Sequence, residues 1–165
     1  MKVKREFVDW LSKHLKANVA DIEIIMKDEV ATNFFITWSI FEPECYNGFA
    51  NIGMIKQFVE DIESNISQNV IEDDTKYFHI RYQDKDNYRH LIFENKNDNQ
   101  TFKEIIEKSY EELSFKDKLF LLLFVIYRYR NNIYHGNKRI ESWLKYKIQI
   151  QKCTALMQIF LDSKV

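Results

Sequence analysis

Leu119-Phe-Leu-Leu-Leu-Phe-Val-Ile-Tyr127 is apolar on every face that a helix would present. A helix without a polar face belongs in the middle of a bundle, or in a bundle plus a partner surface. Nine residues are far too few to cross a bilayer, which takes about 20. Upstream, Ser114-Phe-Lys-Asp117 has the acceptor-then-acid spacing that starts helices. Downstream, Arg128 to His135 runs into Gly136, the residue type favoured for a left-handed helix cap. One long central helix is predicted between these two signals.

The flanking sequence reads as more helices packed round this one. Lys4 to Lys16 carries Phe7, Val8, Trp10, Leu11 and Leu15 at helical spacing. Asp21 can cap a second segment running through Ile22, Ile25, Val30, Phe34, Trp38 and Phe41, and Pro43 is expected to stop it. Cys45-Tyr-Asn-Gly48 then reads as a turn. Asn51 to Ser67 has helical period, Asp73 or Asp74 can cap a helix over Tyr77 to Tyr82, and Thr101 to Glu112 and Ile140 to Leu161 complete the set. Asp84 to Gln100 is polar and reads as a loop; a small irregular or hairpin insertion around 79–100 is the alternative there.

Only 3 Gly and 1 Pro in 165 residues argue against a turn-rich β architecture. The 45% hydrophobic content, with 13 Phe and 9 Tyr, supplies a real core. An all-α, single-domain bundle covering 1–165 is therefore expected. Cys45 and Cys153 have no ligand spacing and read as free thiols in a reducing, cytoplasmic setting. The charged stretch MKVKREFVDWLSKHLK lacks the apolar centre of a secretory signal, and no membrane association is expected. No metal-ligand set and no cofactor motif is evident.

Net charge is −1, but it is unevenly spread. From Lys116 to Lys152 nine Lys/Arg face two acids, a balance of +7, whereas the remainder has 15 bases against 23 acids, a balance of −8. Such a segment can focus an anionic ligand, or its cations can simply cover the outer faces of two helices. Its most chemical stretch is Arg130-Asn-Asn-Ile-Tyr-His135. Arg130 offers a planar, permanently charged fork that matches phosphate; His135 can carry protons near neutrality. On an ideal helix the two lie about 140° apart, with Asn131 about 40° from His135, a loose cluster at the helix's C-terminal end. The partial negative charge there favours an imidazolium. A cation before Gly is also what an ordinary stable helix ending looks like.

Arg130-Asn131-x-x-x-His135, followed by Gly136-Asn137-Lys138, resembles the signature of the HEPN superfamily, small all-helical domains with an Arg, four to six residues, then His. Trp38-Ser-Ile-Phe-Glu42 resembles a less specific upstream segment of some bacterial members. Tyr77-Phe-His-Ile-Arg-Tyr82 also looks familiar, but no role follows from it. The resemblance implies a metal-independent endoribonuclease acting on RNA, built as a homodimer whose two motifs face one composite cleft. It makes Arg130 the phosphate clamp, His135 the proton carrier and Asn131 an orienting residue. Products would be 2′,3′-cyclic phosphate and 5′-OH ends. Lys138, Arg139 and Asn132 would then contact flanking RNA, and Tyr134 or Tyr127 would stack a base or pack in the core. Glu42 would support Arg130, or lie at the surface. The resemblance also suggests a toxin–antitoxin or phage-defence setting, with an antitoxin protein as partner. A non-catalytic module of the same shape, and an unrelated helical interaction protein, are the competing readings.

Overall fold

The computed structural model of the chain describes residues 2–92, 99–134 and 145–164. These form α1 (Lys2–Leu15), α2 (Val19–Lys27), α3 (Glu29–Tyr46), α4 (Ile52–Ile62), α5 (Gln68–Gln83), α6 (Lys85–Leu91), α7 (Gln100–Glu107), α8 (Phe115–Tyr134) and α9 (Lys147–Asp162), with a 3-10 turn at Tyr110–Glu112. No strand occurs among the described residues, and the fold is all-α.

Every residue from Leu119 to Ile126 is at most 4% exposed, so the apolar stretch of α8 is bundle core with no face left for a partner. α4, α5, α6, α7 and α9 pack against it, and α9 lies along α3 on the far side. The start of α8 is the predicted capping box: Ser114 Oγ accepts the Asp117 N–H at 3.1 Å, and Asp117 accepts the Ser114 N–H at 3.1 Å. Inside, Phe124 stacks on Phe102 with centroids 4.5 Å apart and on Phe120 at 5.8 Å. Cys45 and Cys153 are buried free thiols; loss of solvation pushes Cys45 up to about 12.

Several expected boundaries move. Asp21 lies in the first turn of α2, its N–H held by the Asn18 side chain at 2.8 Å. The run on to Phe41 is broken at Asp28, which caps α3 by accepting the Val30 N–H at 3.0 Å. Pro43 does not stop α3, which continues to Tyr46. A proline inside a helix costs about 3 kcal/mol, and burial of the helix's last turn offsets it. Tyr46 is 1% exposed and packs edge-on against Phe41 at 5.3 Å and Phe58 at 5.8 Å. The turn comes afterwards, at Asn47 (φ 51°) and Gly48 (φ 96°), with the Asn47 N–H returning to the Glu42 carbonyl.

Neither Asp73 nor Asp74 caps anything: both lie within α5, which starts after Ser67. The hairpin reading of 79–100 gives way to the end of α5 and to α6, with residues 93–98 outside the described set. Thr75, Phe78, His79 and Tyr82 are buried together at helical, not alternating, spacing. Asp84 then caps α6 by accepting the Asn87 N–H at 2.9 Å. Trp10, one of the apolar positions spaced along the first helix, is 50% exposed; it stacks on Phe7 and meets the His14 ring at a tilt along α1. Val8 and Ile22 bury each helix of the α1–α2 pair outside the main core.

Acids and bases from distant segments lock these helices. Lys116 meets Glu60 and Glu63, Lys118 meets Glu72 at 3.3 Å, Lys147 meets Asp28 at 2.9 Å and Lys152 meets Asp74 at 2.5 Å. Burial works against the charge of Glu72, but donors from Tyr110, Gln68, Lys118 and Lys76 hold its carboxyl down to about 2.

Phe124→Ala should lower unfolding free energy by about 3–5 kcal/mol through loss of contacts and a residual cavity. Denaturant titration with a cost under about 1 kcal/mol would contradict the central placement of that ring. The depressed Glu72 carboxyl gives a pH prediction. Its stabilisation is complete above the ordinary 4.5 and is lost as pH falls from there towards 2. Across that window stability should fall more steeply in the wild type than in Glu72→Gln; equal slopes would exclude Glu72 as the cause.

Candidate functional site

Where α8 turns polar, successive residues point to different neighbours because each step rotates by about 100°. Arg128 is 9% exposed and its Nε donates to the Leu91 carbonyl at 3.1 Å. Tyr129 turns towards α5 and α9: its hydroxyl lies 3.3 Å from that of Tyr82, and its ring meets Tyr146 edge-on at 6.2 Å. Arg130 turns towards α3, where its guanidinium carbon lies 5.5 Å from the Trp38 ring centroid. Four residues on from Arg128, Asn132 repeats the inward direction. It is 3% exposed and its amide lies 3.4 Å from the same Leu91 oxygen.

The surroundings of Arg130 are built by Glu42. One carboxylate oxygen accepts the Trp38 indole N–H at 2.9 Å, and the other accepts the Ala50 backbone N–H at 3.1 Å. That second oxygen lies 3.7 Å from Arg130 Nη2, an ion pair outside direct hydrogen-bond range. Arg130 Nη1 donates to the Asn131 side-chain oxygen at 3.0 Å. The side chains of Arg130 and Glu42 are 25% and 18% exposed, so the pair opens to solvent while its supports are fixed. Glu42 is neither a plain surface residue nor remote from the motif.

The structure thus brings together Arg130, Asn131 and Glu42, and turns Asn132 into the bundle, where it holds the end of α6. Tyr127 is half-buried against the core. His135, Lys138 and Arg139 lie outside the described residues, as does the side chain of Tyr134. The start expected for the last helix at Ile140 also lies there, and α9 is described from Lys147. Trp38 is both buried and a ring for Arg130. The signal for its second role was its spacing of four residues from Glu42, which places both on one helix face.

The basic segment does not form a bare positive surface among the described residues. Lys116, Lys118, Arg130, Lys147 and Lys152 all face acids supplied by α3, α4 or α5, or by Asp28 just before α3. A recess lies elsewhere, between α1 and α2 beside Val8, Val19 and Met26, and none of its lining residues belongs to α3 or α8. It gathers no convergent chemistry. Among the described residues no three His, Cys, Asp or Glu side chains gather as metal ligands do, and no helix is long and apolar enough to cross a membrane.

Comparison with protein-family models, with curated proteins and with solved structures yields no match.

Glu42 accepts two donors that have no other described acceptor, so removing it strands both. Glu42→Ala should cost about 1–3 kcal/mol by the usual penalty for buried unsatisfied donors, and Glu42→Gln, which keeps an acceptor, distinctly less. Equal unfolding midpoints for wild type and Glu42→Ala would contradict this support role.

Proposed function

We propose that this chain is a metal-independent endoribonuclease of the HEPN type, acting in the cytoplasm in a toxin–antitoxin or phage-defence role. The observation that carries the reading is the mounting of Arg130: a planar cation fixed over Trp38 by Glu42 and Asn131, yet open to solvent at the last turns of the central helix. A clamp for a developing phosphate charge needs that combination, since a donor already in position has no reorganisation left to make. Arg130 would bind the scissile phosphate and Asn131 would hold its fork in register.

His135 would carry the protons. The ribose 2′-OH loses its proton as its oxygen attacks phosphorus, the P–O5′ bond breaks, and the departing O5′ takes up a proton. The products are a 2′,3′-cyclic phosphate and a 5′-OH end. With the apolar part of α8 consumed by the core, two copies would meet at the polar last turn, bringing two motifs to one cleft. Lys138, Arg139 and Tyr134 would contact flanking nucleotides, and an antitoxin protein would act by covering that cleft.

A second reading is favoured by the same ion pair. Both arms of the Arg130 fork already have partners in Glu42 and Asn131, as expected of a non-catalytic RNA- or nucleotide-binding module, or a protein-interaction module, in which Arg130 is structural.

Purified protein free of partners should cut RNA in EDTA and leave DNA of the same sequence intact. Arg130→Ala and His135→Ala should each reduce the rate by about 10²-fold or more, the usual cost of losing an oxyanion donor or a proton carrier. Cutting retained in both variants would remove the assigned site. RNA binding without turnover, unchanged by His135→Ala, would select the second reading.

A further inference from the structure

Phe49 is the most exposed large apolar side chain among the described residues, at 80%. It stands in the turn from α3 to α4, and that turn is fastened on both sides. Before it, the Asn47 and Gly48 N–H groups reach the Glu42 carbonyl, and the Phe49 N–H donates to the Tyr46 carbonyl at 3.2 Å. After it, the Ala50 N–H donates to Glu42 Oε1 at 3.1 Å, and Asn51 caps α4 by accepting the Met54 N–H at 3.0 Å. Left-handed backbone at Asn47 and Gly48 sets the direction of the chain. A single exposed ring is ordinary on a protein surface. A ring whose main chain is held on both flanks is ordered before any partner arrives, which lowers the cost of binding one.

Its place gives this ring a use. The Glu42 oxygen that accepts the Ala50 N–H is the one that faces Arg130 Nη2, at 3.7 Å. The Phe49 carbonyl carbon is bonded to that same Ala50 nitrogen, about 1.3 Å away. The bond and the contacts of 3.1 and 3.7 Å together bring the Phe49 main chain within about 8 Å of the guanidinium at most. One carboxylate therefore anchors both groups, the cation through its charge and the ring through the amide beside it. A strand with one phosphate on Arg130 has a neighbouring base within reach of this turn.

We propose that Phe49 stacks the nucleobase beside the phosphate that Arg130 holds, an assignment that rests on the reading of Arg130 as a phosphate clamp. Phe49 is then a substrate-binding residue of that site, and the substrate is single-stranded RNA. Only an unpaired base can turn out of its helix and lay its face on an aromatic ring. Every base has such a face, so Phe49 supplies affinity and register without selecting a sequence. A phenyl side chain has two rotatable bonds and loses little freedom on contact. The stacked base is remote from the bonds that change, so its contact is equal in the ground and transition states. Its loss therefore falls on KM and leaves kcat in place.

Cleavage kinetics on single-stranded RNA, with an abasic nucleotide moved along the strand, test this. Phe49→Ala should raise KM about tenfold with kcat little changed, and Phe49→Tyr should restore it. In the wild type an abasic nucleotide beside the cut should cost a similar factor, and in Phe49→Ala nothing further. Unfolding midpoints should be equal, because a ring 80% exposed supports no core. A 2′-O-methyl strand carrying 5-iodouracil, which resists cleavage, gives a readout without turnover. Irradiation should cross-link it to Phe49, as mapped by mass spectrometry, and Arg130→Gln should weaken the cross-link. A cross-link at Phe49 in protein that never cuts RNA would end the nuclease reading and keep the stacking site. Cutting that depends on Arg130, with equal KM for wild type and Phe49→Ala and no cross-link at Phe49, would overturn the stacking site and keep the nuclease. A change of oligomeric state in Phe49→Ala with RNA binding unaltered would assign the ring to a protein contact, and likewise overturn the proposal.

Discussion

A helix with no polar face has to be surrounded, and that requirement organises this molecule. From Leu119 to Ile126 α8 offers nothing to water, so five other helices close over it. The same rotation that buries every side of the apolar stretch then distributes the polar residues after it. Arg128 and Asn132 are carried towards α6, Tyr129 towards α5 and α9, and Arg130 towards α3. Positions that look like a cluster in sequence therefore become three separate environments round one helix end.

Charge plays a structural part beside burial. The excess of cations after Lys116 is answered by acids on earlier helices, so segregation along the chain becomes pairing in space. Most of these pairs are partly exposed and each adds little by itself. Together they specify which helix lies beside which. Among the described residues, Arg81 and Lys145 depart from the pattern, both lying against the Tyr146 ring.

The helices and their central member were legible because periodicity and burial agree. Leu119 to Tyr127 could be read from hydrophobicity alone, and the Ser114–Asp117 start from side-chain chemistry. Pro43 misled because its local cost is set against burial of Tyr46, a tertiary contact that no local rule contains. Asp73 and Asp74 misled because an acid is a cap only if the chain before it is not helical, and the packing of Ile71 and Thr75 carries α5 back to Gln68. At the candidate site, Arg130 and Asn131 were legible as types of group, and Glu42 only as a distant possibility; their approach is created by α3 coming within side-chain reach of the end of α8. Asn132 had the same polarity as Asn131, but one further step of rotation takes it into the interior.

The Leu91 carbonyl has a consequence for the architecture. Arg128 and Asn132 both reach that single oxygen, which uses the two lone pairs a carbonyl possesses. The junction works as a keyed joint: α6 can dock on α8 at one rotational setting only. Adding or removing one residue within α6 would swing that oxygen through about a quarter-turn and disengage both donors at once. The seven residues of α6 thereby act as a spacer of fixed size.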